Sequence, residues 1–441
     1  MYFLCYTQGM KKALFVTTVP ITLRAFLLPL AAALHAEGWQ VDALTGSEDG
    51  TGSNQAQDIP NPDVALNAEV PGQRPDDISG ADSEEVGASF LLEHFAQIHT
   101  VNWSRSPKSF LRYSKLAREI RQLVTSEQYK VVHVHTPIAS LITRLALRKN
   151  KEVRIIYTVH GFHFYHDERG HLKGRLYRAI ERIAIHYTDV LTVMNDEDEA
   201  AAHQLAAKTR KLIHGDNPNT RVNRYPVPRC TAARIDGVGI DMDTYSPTKL
   251  SQTRKAELQQ HYKLAADSFT VGMIAEMNHN KRHHLLLEAA KQLKDSHPHI
   301  HWLCIGTGPL KAQLQEQVQH SNLPVSFTGQ LDKQQLREAL ALTNLGILVS
   351  KREGLPRSLM EFTAAKVPIA GTKTRGIVEE VQDKRALANT ATGPALAELI
   401  ASIADNPSLA TDLAQKQHVH ATQNYTLDVV IPKYLKLYEN R

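Results

Sequence analysis

Short apolar runs alternate along the chain with longer stretches in which apolar residues recur every three or four positions. That alternation predicts parallel sheets built from β-α-β units. ALFVTT over residues 13–18 reads as a strand, 23–37 as a helix and 40–44 as the next strand. YKVVHVH (129–135) and VRIIYTV (153–159) are further strands with an apolar helix, 139–148, between them, and 190–194 closes this set. A second set begins with strand 269–275 and helix 282–295, then continues through strands 301–305, 325–328, 345–349 and 368–371. Two independent sets predict an α/β protein of two Rossmann-like domains, meeting near the turn-rich stretch 237–247.

Two segments break the pattern. Residues 47–87 hold no aromatic residue, and 48–85 carry ten acidic residues against one Arg. Such a stretch buries too little apolar area to offset its ordering entropy, so it reads as a mobile acidic insertion. Residues 208–234 are basic and polar and read as a loop insertion in one β-α connection. The domain expectation is therefore 1–245, then 246–425, with a last helix over 428–438 carrying 426–441 back to the first domain. MKKALFV from Met10 looks like a natural start, which makes 1–9 an extension.

Composition narrows the function classes. Of 441 residues 42% are hydrophobic, enough for ordinary cores. The formal charge of +5, from 51 Lys plus Arg against 46 Asp plus Glu, does not predict nucleic-acid binding. Cys5, Cys230 and Cys304 are too scattered for a metal site or a disulfide framework, which implies a reducing, cytoplasmic setting. The most apolar run, AFLLPLAAAL at 25–34, is half the length of a membrane span and reads as a buried helix.

The most informative stretch is SKREGLPRSLME, from Ser350 to Glu361. It leaves an apolar strand, passes Gly354 and meets Pro356, a residue suited to the first turn of a helix. A helix N-terminus after a glycine turn presents free backbone N–H groups to an anion, with diphosphate as the obvious ligand. Glu353 falls before the helix and Glu361 in its second turn. A carboxylate accepts from two vicinal hydroxyls at once, as ribose and hexose diols require. For the bare glutamate pair, a capped surface helix with two solvated carboxylates is the stronger reading.

The surrounding motifs change that balance. EGLP at Glu353 through Glu361 resembles the E-x7-E motif of retaining glycosyltransferases of the GT-B architecture, family 4 in particular. GMIAEMNHNK, ending at Lys281, is similar to the strand and lysine that hold the donor diphosphate there. IGTGPL at Ile305 resembles its G-x-G-P-L turn, and FTG at Phe327 the strand end near the base. HVHT at His133, TVHGFHFY at Thr158 and GVGID at Gly237 match the branch that makes capsule, exopolysaccharide and O-antigen.

The resemblance implies two domains facing across a cleft and transfer of a hexose or N-acetylhexosamine from a UDP-sugar, with retention. It implies catalytic roles for Glu353, His160 and Lys281. Donor binding falls to Glu361, Gly354, Leu355, Ser358 and Lys281, with no metal and no cofactor. The expected acceptor is a lipid-linked glycan at the inner face of the plasma membrane. Three departures stand out: Glu276 replaces an expected Arg, the first β-α turn (TTVPIT from Thr17) lacks glycines, and the region after GIVE at Gly376 reads ALANTATG (386–393) in place of a glycine turn.

Other constellations carry less. His133 and His135 share one face of a strand and could ligate a metal, but no third ligand suggests itself, so a structural role is preferred. His160, His163, His166 and His171 with Asp167 show no H-E-x-x-H spacing. Arg105, Lys108, Arg112, Lys115, Arg118 and Arg121 crowd a helix over 107–124. A solvated face is its default reading, and contact with anionic headgroups is the alternative. Two rival functions remain: an inverting transferase with His160 as base, and a sugar-nucleotide-binding subunit without catalysis. A dinucleotide oxidoreductase lacks its glycine fingerprint.

Overall fold

The computed structural model describes residues 10–46, 94–103, 110–162, 170–214 and 230–439, so the expectations for 1–9 and 47–87 lie outside it. Two parallel sheets organise the chain. The first contains β1 (Lys11–Val16), β2 (Trp39–Thr45), β3 (Ile98–Thr100), β4 (Val131–Val134), β5 (Arg154–Thr158), β6 (Val190–Val193) and β7 (Thr231–Arg234), in the order 3-2-1-4-5-6-7. Its central register pairs Ala13 with Val41 on one side and Val131 on the other. These inner strands are covered on both faces, which is why they read as near-continuous apolar runs.

The set does not close at 190–194. β7 pairs with β6, and β3 adds the opposite edge beside β2. IHT and TAAR are paired on one side only and need no apolar run to hold them, so periodicity gives no signal. Residues 208–234 are also not a loop throughout. Residues 208–214 continue the helix Asp196–His214, as the helix-forming Lys, Arg and Leu there permit. Residues 231–234 are β7, and 215–229 lie outside the described residues.

The helix after β1 begins earlier than the pattern predicts and is not uniform. Residues Pro20–Thr22 are α-helical, Leu23–Leu27 form a π-turn, and Leu28–Ala36 return to α. Pro29 has no N–H to give to the carbonyl four residues back, which explains the widened turn just before it.

The second sheet contains β8 (Phe269–Ile274), β9 (Ile300–Ile305), β10 (Val325–Gly329), β11 (Leu345–Leu348), β12 (Ile369–Thr372) and β13 (Leu387–Ala388), in the order 10-9-8-11-12-13. The ALANTATG stretch supplies β13, and its Thr392 caps the helix Gly393–Ala404 by accepting from the Ala395 N–H. The helix Arg357–Ala364 lies tight on β11, because a Cβ at Gly346 would run into the Phe362 ring. That contact fixes where the helix starts, and hence where its N-terminal N–H groups lie.

Contacts between Cα atoms divide the chain into two units. One takes the described residues up to Val193, then Asp198–Ile235 and those from Ile431 onward; the other takes Met194–Glu197 and Asp236–Val430. The last helix, Leu427–Glu439, therefore starts in the second unit and ends in the first. Each unit has its own apolar core, one around Leu14, Val132 and Tyr157, the other around Met273, Trp302 and Phe362. Among the described residues no helix is long and apolar enough to cross a membrane.

Candidate active site

In the second unit, two loops at the C-terminal ends of β8 and β11 are laced together. The Lys351 N–H donates to the Asn280 carbonyl (2.8 Å), and Asn280 Nδ2 donates back to the Arg352 carbonyl (3.1 Å). Arg282, held at φ 53° just before the helix His283–Leu293, reaches Val349 O (2.6 Å), Ser350 O (3.0 Å) and Thr372 Oγ1 (3.3 Å). The IGTGPL turn docks on the same β8 loop, with the Met277 N–H on Thr307 O and the Leu310 N–H on Met277 O, both 2.9 Å. The motif stretches at 272–281, 305–310 and 350–361 thus form one structure.

Lys281 and Glu353 meet inside it. Lys281 Nζ lies 2.6 Å from Glu353 Oε1, with the side chains 20% and 12% exposed, so solvent screens the pair little. Gly354 and Leu355 form the turn that follows. Pro356 sits one place earlier than a first-turn proline, at the N-cap, with no side-chain cap. The first N–H groups of the helix, including Ser358, have no intrahelical acceptor and carry the positive end of its dipole. Gly376 (φ +77°) fits against this turn because a Cβ there would come within 2.6 Å of the Gly354 carbonyl. Glu379 accepts the Gly376 N–H and so caps the helix Ile377–Val381. Glu276 is exposed and accepts from Asn278 Nδ2 (2.8 Å).

Glu361 lies on the second turn of the helix, buried, with Arg357 Nε 3.4 Å from Oε1 and the Tyr245 hydroxyl as a hydrogen-bond partner. Burial raises its pKa, while Arg357 and Tyr245 oppose the rise by stabilising the carboxylate. Nearby, Glu380 is buried with neither carboxyl oxygen partnered among the described residues. Burial first, and then the charges of Glu353, Glu379 and Glu361, push its pKa well above the usual carboxylate range. The second unit therefore holds a carboxylate paired with Lys281, a second poised by Arg357 and Tyr245, and a third whose ionised form burial and its glutamate neighbours disfavour.

His160 belongs to the first unit. It follows β5, is partly buried, and its Nε2 has no partner among the described residues. Burial pushes its pKa down to about 4, so the ring is neutral near pH 7. The Phe26 ring, supplied by the π-turn, lies 6.1 Å from it and His135 lies 5.8 Å away. His133 is consumed by structure: Nδ1 meets Tyr438 Oη (2.6 Å) and Nε2 meets Thr158 Oγ1 (2.7 Å), which continues to Thr192 Oγ1 (2.6 Å). His135 stacks on His133 at 4.1 Å, and neither of its nitrogens has a partner among the described residues. Among the described residues no three His, Cys, Asp or Glu side chains are placed to hold a metal. The side chains of His163, His166, Asp167 and His171 lie outside the described residues.

Lys281, Glu353, Gly354, Leu355, Ser358 and Glu361 are thus assembled in one unit, and His160 stands in the other. Sequence reasoning missed Tyr245, Arg357, Arg282, Asn280, Glu380 and Asn195, whose Nδ2 donates to the Gly354 carbonyl (2.9 Å). For Asn195 a signal existed, a polar residue directly after an apolar strand. The others are defined by partners far away in sequence.

Comparison with known proteins bears on the family and the fold. The model of "Glycosyl transferases group 1" matches residues 254–419, and that of "Glycosyl transferase 4-like domain" matches 23–213. EpsD of Bacillus subtilis (strain 168), a protein named as a glycosyltransferase, is 27% identical over 311 residues, 68% of this chain and 74% of EpsD. The UDP-Gal:alpha-D-GlcNAc-diphosphoundecaprenol alpha-1,3-galactosyltransferase of Escherichia coli is 23% identical over 273 residues, 61% of this chain and 64% of that one. Among solved structures, Anabaena HepE in complex with UDP and glucose superimposes with a TM-score of 0.67 at 15% identity, over 97% of this chain and 98% of HepE. Sucrose-phosphate synthase from Thermosynechococcus elongatus gives 0.69 at 16%, over 97% and 98%. The fold is GT-B, and the chain belongs to the group 1 glycosyltransferases, glycosyltransferase family 4, a retaining family.

Proposed function

We propose that the protein transfers a hexose or N-acetylhexosamine from a UDP-sugar to a lipid-linked glycan in the assembly of bacterial surface polysaccharide, with retention of configuration. The observation that carries the donor site is the convergence of Lys281, Glu353 and Glu361 around an uncapped helix N-terminus after β11. In this reading Glu361 accepts from the ribose diol, and Glu353 from a hydroxyl of the transferred sugar. The amides of Gly354, Leu355 and Ser358 meet phosphate and sugar oxygens. Lys281 neutralises charge that grows on the diphosphate as the C1–O bond breaks, an effect largest in the transition state.

The acceptor hydroxyl attacks C1 from the face the diphosphate leaves, and its proton passes to the departing phosphate oxygen. No enzymic base is then required at the acceptor. Neutral His160 serves the transferred sugar as a hydrogen-bonding group rather than as a cation. The acceptor class is suggested by the diphosphoundecaprenol-linked substrate in the name of the Escherichia coli relative. A headgroup contact through the basic helix over 107–124 belongs to the same reading. That helix is observed as Phe110–Ser126, with Arg105 and Lys108 outside the described residues.

The test is a panel of UDP-hexoses and UDP-N-acetylhexosamines offered with lipid-diphosphate-linked acceptors. UDP release and the anomeric configuration of the product are then read. One donor turned over to an α-linked product from an α-linked donor supports the reading. A β-linked product would replace it with an inverting mechanism, and silence across the panel with a binding subunit.

A further inference from the structure

The helix Gly170–Ala184 buries Ala184 and part of Ile180 but leaves the rest of its described apolar stripe outside the core. Its sequence, GHLKGRLYRAIERIA, is strongly amphipathic, and such a helix ordinarily turns its apolar stripe to the core. Here Leu176, Ala179 and Ile183, spaced i, i+3, i+7 on one stripe, are exposed, Leu176 by 60% and Ile183 by 57%. Tyr177 beside them is 38% exposed. The inward side carries the ionic residue: Glu181 pairs with the fully buried Arg144 at 3.0 Å. Arg175 and Arg182 flank one edge of the apolar stripe, and the helix holds Lys173, Arg175, Arg178 and Arg182 against Glu181 as its single acid.

We propose that this face inserts into the headgroup–acyl boundary of an anionic lipid bilayer. Apolar side chains flanked by cations are what such a boundary accepts, since the chains bury against acyl carbon while guanidinium groups stay with phosphate. The charge argues for this occupant over a second copy of the chain, because a two-fold pairing through this face would set arginine edges against each other. Among its described side chains, the basic helix Phe110–Ser126 offers no equivalent surface. Its Leu116, Ile120 and Val124 are spent in the core, Lys115 pairs with Glu119 at 3.7 Å, and Arg121 Nε donates to the Ala146 carbonyl. The attraction its described cations offer to lipid is electrostatic and fades with salt.

The inference goes beyond the donor reading and stands apart from it. The experiment is co-sedimentation of the full chain with phosphatidylglycerol-containing and pure phosphatidylcholine vesicles at 50 and 500 mM salt, for wild type and Leu176→Asp/Ile183→Asp. Thermal stabilisation by UDP reports separately on folding and on the donor site. Expected are wild-type binding to anionic vesicles that partly survives high salt, and about tenfold weaker binding in the double variant with the UDP response unchanged. Equal binding by the two proteins overturns the proposal. So does wild-type binding abolished entirely at 500 mM salt, or a concentration-dependent dimer that the substitutions disrupt. If the variant fails to fold, Leu176→Ser alone with the same readouts replaces it.

Discussion

Lys281 Nζ and Glu353 Oε1 lie 2.6 Å apart on two loops 72 residues apart in sequence, and the pair is mostly shielded from water. The ion pair holds the β8 and β11 loops in register and places a cation beside the helix N-terminus. Lys281→Ala should lower kcat/KM for UDP release by about 100- to 1000-fold, as expected for a charge acting on the transition state. Lys281→Arg should restore part of it. An alanine variant within threefold of wild type would remove Lys281 from the chemistry.

Tyr245 is the residue that tunes Glu361. Its hydroxyl stabilises the ionised carboxylate against burial. In Tyr245→Phe the Glu361 pKa rises further, so the acidic limb of the kcat/KM profile moves to higher pH. At pH 8 the donor KM should rise about three- to tenfold, the worth of one hydrogen bond to a charged group. A profile that does not move would show that Glu361 is not the group titrating in donor binding.

Glu380 makes a stability prediction of definite sign. Its folded pKa is raised, so its contribution is fully present below the usual carboxylate pKa of 4.5 and is lost as pH rises toward the folded value. Glu380→Gln removes the carboxyl whose ionised form burial and the neighbouring glutamates disfavour. Its melting temperature should exceed that of wild type at pH 8 by several degrees, for about 1–3 kcal/mol, and the difference should shrink toward pH 4.5. A difference independent of pH would show that Glu380 is ionised in the fold.

His133 and Tyr438 belong to a chain of hydrogen bonds that runs through Thr158, at the end of the strand before His160, to Thr192 on β6. Tyr438→Phe leaves a buried ring nitrogen without a partner and should cost about 1–3 kcal/mol in thermal unfolding. The buried histidines also set an acid limit. His133 is pushed down to about 3 and His160 to about 4, both by burial, against an ordinary value of 6.5. Stability that is complete above pH 6.5 should fall as pH drops toward 4, because only the unfolded chain takes up those protons. A flat melting temperature from pH 7 to 5 would contradict the neutral, buried assignment.

Much of this was legible in the chain. The inner strands are apolar because helices cover both their faces, and composition reports that directly. β3 and β7 were not legible, since an edge strand such as TAAR is held by its neighbour's backbone and needs no apolar run. Basic composition also concealed 208–214, where lysine and arginine extend a helix rather than mark a loop. In the site, Glu353, Glu361 and Lys281 were singled out by motifs that resemble those of family 4 glycosyltransferases, whereas the bare glutamate pair by itself reads as a capped surface helix. Tyr245, Arg282 and Glu380 gain their roles only from tertiary neighbours, as when Arg282 crosses to the Val349 and Ser350 carbonyls, and no spacing announces that.

The central claim is that the turn between β11 and its helix, closed by Glu361, is the donor site. Calorimetric titration of UDP into wild type and Glu361→Ala tests it most directly. Wild type should show a single site and the variant about 10- to 100-fold weaker binding, the cost of losing hydrogen bonds to a charged acceptor. UDP binding of equal strength in the two proteins would contradict it.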